Sequence, residues 1–168
     1  MEEAGMGVSF NADEVFEIAQ QIERNGAKFY RRAAEILGEK EAQKVLRGLA
    51  AMEDRHLVVF TAMREKLEAE ERTPTVFDPD GEAALYLDAL ANARIFDMSA
   101  DASAKLGAKS KGADIFRTAI GIEKDSVVFY LGMQDLVPAK LGKDQIGRII
   151  REEMGHITIL SKELAKLG

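Results

Sequence analysis

The chain has 168 residues, no Cys, two His and three Pro; 46% of it is hydrophobic, and 23 basic against 29 acidic side chains give a formal net charge of −6. That length suits a single domain, residues 1–168, with a sizeable core, and a chain without Cys has no disulfide, thiolate zinc site, iron–sulfur cluster or Cys nucleophile. A mildly acidic balance without a basic block, no apolar run near the roughly 20 residues that cross a bilayer, and a Met1-Glu2-Glu3 start unlike an export signal predict a cytoplasmic protein with no nucleic-acid or membrane partner.

The first helix is expected from residue 12. Asn11 is its N-cap and Glu14, three residues on, completes a capping-box variant. Val15, Ile18, Ile22, Phe29, Ala33 and Ile36 recur close to a 3.6 period until Gly38 offers a stop. A second periodic run covers about residues 40–70, with Val45, Leu49, Met52, Leu57, Phe60, Met63 and Leu67 on its stripe. Thr73-Pro74 and Asp78-Pro79-Asp80-Gly81 then punctuate the chain. A shorter helix is expected over about 82–98, followed by a Ser/Ala/Gly/Lys-rich stretch to Gly112. The third long helix runs over about 113–136 and stops before Pro138; the fourth runs over about 143–167. The predicted fold is all-α, a four-helix bundle built from a first hairpin (9–70), a crossover (71–112) carrying the short helix, and a second hairpin (113–167). A crossover that long can travel the bundle, so the third helix can start at the end where the second started.

The two His each follow a Glu by three residues, as Glu53-Asp-Arg-His56 and Glu153-Met-Gly-His156. On a helix such a pair shares one face, so a carboxylate and an imidazole can aim at one point. Thirty residues before each motif lies another Glu, Glu23 and Glu123, and each of these precedes a Phe-Tyr pair, Phe29-Tyr30 and Phe129-Tyr130. All of these positions repeat at an offset of 100, which marks a duplicated helix hairpin. With 18 Glu in 168 residues, four Glu at four specified positions arise by chance about once in several thousand trials.

All four glutamates lie on apolar stripes: Glu23 among Ala19, Ile22, Gly26 and Tyr30, Glu53 among Leu49, Met52, Leu57 and Phe60. Glu123 has Ala119, Ile120, Val127 and Tyr130 around it, and Glu153 has Ile149, Ile150, Ile157 and Leu160. Four inward carboxylates cost several kcal/mol per ion unless neutralised, and two divalent metals balance them. The candidate ligands are Glu23, Glu53, His56, Glu123, Glu153 and His156; oxygen and imidazole donors without thiolate suit iron or manganese, and zinc fits the same site. Other acids, such as Glu35, Glu41, Glu65 and Glu68, read as solvated surface, and the seven Met as gap fillers. Tyr30 and Tyr130 are the candidate catalytic residues: they read as core packing or as having a direct redox role, and hydrogen bonding to a ligand Glu fits both. Glycines within predicted helices (Gly26, Gly48, Gly121, Gly132, Gly147, Gly155) suggest close helix approach or room beside the metals.

The paired Glu and Glu-x-x-His motifs on four helices resemble the ferritin-like di-iron carboxylate proteins. Ile122-Glu123-Lys124-Asp125-Ser126-Val127-Val128-Phe129-Tyr130 and Glu153-Met-Gly-His156 are most similar to the rubrerythrin branch. The resemblance covers about residues 10–167 and implies a ferritin-like bundle holding two iron ions. It implies that Glu53 and Glu153 bridge the metals, with Glu23, His56, Glu123 and His156 completing the two shells. It also implies reduction of hydrogen peroxide or oxygen, or oxidation of iron(II). Rubrerythrins usually carry a Cys-bound iron domain, so a chain without Cys implies an external electron donor, or electrons from the substrate iron itself. They also carry a further Glu one turn along the third helix, where this chain has Ser126. A homodimer is expected of such long amphipathic helices. The competing readings are a ferroxidase or iron-handling protein and a metal-free structural or partner-binding bundle.

Overall fold

A computed structural model of the chain describes residues 11–67, 82, 85, 86, 89, 101–137 and 139–168. Helix α1 spans Ala12–Ile36 and α2 spans Lys40–Glu65. Helix α3 spans Gly112–Leu136 and α4 spans Lys143–Ala165. Among the described residues there is no strand.

The start of α1 follows its sequence: Glu14 N–H donates to Asn11 Oδ1 at 2.9 Å, and Asn11 N–H donates to Glu14 Oε2 at 3.1 Å. Its end differs from expectation. Gly38 plays no left-handed role; the chain leaves the helix through an extended Leu37, whose N–H still reaches Ala33 O and whose carbonyl accepts from the Gln43 amide at 2.5 Å. Helix α2 ends before the expected 70, because Lys66 and Leu67 switch to three-residue hydrogen bonds, 3.2 Å to Met63 O and 3.1 Å to Arg64 O. The 101–111 stretch holds a 3₁₀ turn, Ala102–Lys105, capped by Asp101. A second 3₁₀ turn, Ala139–Leu141, leads to Gly142, whose φ of 101° is left-handed and starts α4. The proline breaks at 73–81 lie outside the described residues, as does most of the expected 82–98 helix. Within it, Glu82, Leu85, Tyr86 and Ala89 are helical and exposed, and the Tyr86 hydroxyl donates to Val128 O of α3 at 3.2 Å.

The helices bury their apolar stripes in two clusters. One unites the start of α1 (Val15, Phe16, Ile22), the end of α2 (Phe60, Met63), the end of α3 (Phe129, Tyr130, Met133) and the start of α4 (Ile146, Ile149). The other unites the opposite ends: Phe29, Tyr30 and Ala33 of α1, Leu46 and Leu49 of α2, Ile115 and Phe116 of α3, and Leu160 of α4. Helices within each hairpin are thus antiparallel, and α3 begins at the end of the bundle where α2 begins. Between the two apolar layers lies a polar one.

Candidate metal centre

Each helix sends its chemistry into that middle layer. Glu23, Glu53, Glu123 and Glu153 are 0%, 3%, 1% and 0% exposed, and His56 and His156 are 2% and 1%. The structure brings all six candidate residues together. Glu35, Glu41 and Glu65 lie on the exposed side, and Glu68 is outside the described residues.

The atoms converge in two overlapping sets. Glu23, Glu53, His56 and Glu153 place one donor atom each within 4.8 Å of one another, and so do Glu53, Glu123, Glu153 and His156. Glu53 and Glu153 belong to both sets, the place a bridging carboxylate occupies. Glu23 pairs with His56, and Glu123 with His156. His56 Nδ1 is 3.0 Å from Glu153 Oε1 and 3.4 Å from Glu23 Oε2. His156 Nδ1 is 2.9 Å from Glu153 Oε2 and 3.3 Å from both Glu53 Oε1 and Glu123 Oε1. The imidazoles lie nearly parallel, at 18°, with centroids 5.8 Å apart.

These short approaches are not well-formed hydrogen bonds. Of the eight buried polar side-chain atoms without a hydrogen-bond partner among the described residues, seven are Nδ1 or carboxylate oxygens of these six residues. Buried polar atoms are rarely left orphaned, and here the orphans face one another. Two divalent cations would satisfy them and match four carboxylate charges with four positive ones. The donor set fits a dinuclear metal site.

Without metal the groups share protons unequally. Burial, opposed by the His56 imidazole, lifts Glu23 to about 7. Burial and the charges of Glu23 and Glu153 drive Glu53 well up, and burial does the same for Glu123. Burial also works against ionising Glu153, but the imidazoles of His156 and His56 outweigh it and hold Glu153 well below the carboxylate range. Burial opposes charge on both imidazoles too, yet the glutamates facing them raise His56 to about 11 and His156 to about 12. The metal-free centre thus balances anions with protons where cations would sit.

The tyrosines act across the repeat. Tyr30 of α1 hydrogen-bonds Glu123 of α3, and Tyr130 of α3 hydrogen-bonds Glu23 of α1. Each hydroxyl engages Oε1 and leaves Oε2 of the same carboxylate free. Gly26 gives Glu53 its space: a Cβ on Gly26 would lie 2.6 Å from Glu53 Oε2. Gly48, Gly121 and Gly155 have nothing within 4 Å, so close approach does not explain them. Ser126 is buried and donates to Ile122 O at 3.0 Å, so no carboxylate reaches the centre from that position.

Sequence reasoning missed the outer contacts of the imidazoles. His56 Nε2 meets Glu152 Oε2 at 2.7 Å, and His156 Nε2 meets the sulfur of Met52 at 3.3 Å. Met52 is therefore more than a gap filler. The signal was present in the position before Glu53 and Glu153, where the repeat has Met in one half and Glu in the other. A cavity of about 370 Å³ opens beside His56, lined by Met52, Arg55, Arg148 and Glu152 among others.

Two antiparallel hairpins with a buried carboxylate–imidazole cluster midway along them, fit for two metal ions, define a ferritin-like helical bundle. The chain is similar to a solved structure from Thermotoga maritima assigned as a ferritin-like diiron-carboxylate protein, with a TM-score of 0.70 and 20% identity over 95% of this chain and 98% of that one. No family model and no curated protein matches the chain. No helix among the described residues is long and apolar enough to cross a membrane.

Proposed function

We propose that the chain is a rubrerythrin-like di-iron oxidoreductase that reduces hydrogen peroxide or oxygen. The observation that carries this reading is the pair of four-residue donor sets sharing Glu53 and Glu153. Glu23 and His56 would hold one iron, Glu123 and His156 the other. Held there, two iron(II) ions would supply one electron each, the two that, with two protons, turn one peroxide into two waters. The protein's part is to hold that chemistry in a dry layer. Tyr130 and Tyr30 fix the rotation of Glu23 and Glu123, and one oxygen of each keeps no hydrogen-bond partner. The cavity beside His56 offers a small oxidant an approach. With no Cys in the chain, re-reduction falls to an external donor.

A ferroxidase or iron-handling role is the second reading, favoured by Ser126, which supplies no fifth carboxylate to the centre. A cytoplasmic homodimer belongs to the same proposal, and exposed Val58, Val128, Leu131 and Ile159 supply apolar surface for pairing. The test is anaerobic loading with iron(II) followed by stopped-flow mixing with peroxide or with oxygen. Two irons per chain, oxidised by peroxide faster than iron in buffer, are expected. Faster oxidation by oxygen than by peroxide selects the ferroxidase, and binding without accelerated oxidation by either removes the enzyme reading. A native sample grown with iron yet free of metal returns the chain to a structural bundle.

A further inference from the structure

The duplication breaks at one pair of positions that touches the centre. Residues 52 and 152 correspond in the repeat, each precedes a bridging glutamate, and each reaches across to the imidazole of the other half. At His56 the contact is a carboxylate, Glu152 Oε2, 2.7 Å from Nε2. At His156 it is a thioether, Met52 Sδ, 3.3 Å from Nε2. Both rings turn Nδ1 to the centre and Nε2 outward, so in the metal-binding form the outward nitrogen carries the proton. A carboxylate accepting that proton's hydrogen bond locks the tautomer, orients the ring and makes Nδ1 a stronger donor, and losing such a partner typically costs 10–100-fold in metal affinity. A thioether is a weak acceptor and carries no charge.

We infer that the two metal positions are unequal. The Glu23–His56 position binds first and more tightly, with Glu152 as its positioning residue; the Glu123–His156 position fills second. Glu152 is 52% exposed along its side chain and lines the cavity of about 370 Å³ that also reaches His56, so its charge faces the solvent side of the first position. Among the described residues, His156 has no such carboxylate at its outer nitrogen. The inference rests on the dinuclear site, not on peroxide chemistry.

The test uses the full chain and cobalt(II), whose visible absorption reports each added imidazole ligand. Titration of the metal-free protein should show two steps separated by roughly tenfold or more. His56→Gln should remove the tighter step and His156→Gln the weaker. Glu152→Leu should weaken the tighter step by roughly 10–100-fold and leave the weaker one in place, with Glu152→Gln falling between. Met52→Leu should leave the tighter step unchanged. Glu152 is a surface residue, and unchanged helicity of the metal-free variants by circular dichroism separates lost affinity from lost fold. Two equal steps in the parent protein, or a Glu152→Leu that weakens both steps alike, overturn the inequality while leaving a dinuclear site standing. Failure to bind cobalt at all overturns the site itself.

Discussion

At the scale of single residues, the centre sorts its four glutamates into two kinds. Glu53 is costly in the metal-free protein, because burial and two neighbouring carboxylates oppose its charge. Glu153 is the anion that both imidazoles hold. Replacing each by its neutral isostere should therefore act in opposite directions. In metal-free protein, Glu53→Gln should raise the melting temperature and Glu153→Gln should lower it, while both lose the rise that metal brings. Differential scanning calorimetry with and without manganese(II) measures all four cases. Gly26 supplies a second contrast. Gly26→Ala places a methyl 2.6 Å from Glu53 Oε2, and since that oxygen ends a flexible side chain, the fold survives while the carboxylate leaves its place in the two donor sets. Metal affinity should fall tenfold or more with helicity unchanged. Gly48→Ala, exposed and with open space around it, should instead stabilise by about 0.5–1 kcal/mol through helix propensity.

At the scale of elements, the helices are held by their ends as well as by their stripes. The capping box of α1 satisfies two terminal groups, and Arg64 near the end of α2 grips Asp13 in the first turn of α1 at 2.9 and 3.0 Å. Asn11→Ala should cost about 1 kcal/mol, which in a chain of this size lowers the melting temperature by roughly 2–4 °C. That loss should appear equally with and without metal, because the cap lies a full layer of apolar side chains away from the centre. The helix starts and the capping box follow from local chemistry, and so were legible in order of residues alone. The early end of α2 was not, since the periodic stripe through Leu67 gives no sign that hydrogen bonding tightens at Lys66.

At the scale of the whole molecule, the bundle is two apolar layers clamped around a charged one, so its stability follows the protons and cations of that layer. Glu23 has a folded value near 7, above its ordinary 4.5. Its contribution to metal-free stability is present below 4.5 and lost as pH rises through 7. The imidazoles, raised from 6.5 to about 11 and 12, contribute below 6.5 and lose that contribution as pH climbs toward those values. Metal must displace the same protons, so its apparent affinity rises with pH. The increase in melting temperature on adding manganese(II) should therefore grow from pH 5.5 to 7.5, with protons released on binding in weakly buffered solution. A metal increment independent of pH would show that the cations bind somewhere else. At a hundredfold excess over the dissociation constant, each site adds about 2.7 kcal/mol.

The order of residues alone determined the helix periods, the duplication and the six side chains of the centre, because all three are carried by spacings within one helix or by comparing the two halves. The tertiary structure decided which glutamate serves which imidazole, the crosswise Tyr30–Glu123 and Tyr130–Glu23 bonds, the opposition of Gly26 to Glu53, and the unequal partners Glu152 and Met52. Each of these is a meeting of two helices. It depends on how far each is rotated and slid against its neighbour, quantities that the packing of both apolar layers sets and that no spacing along one helix contains.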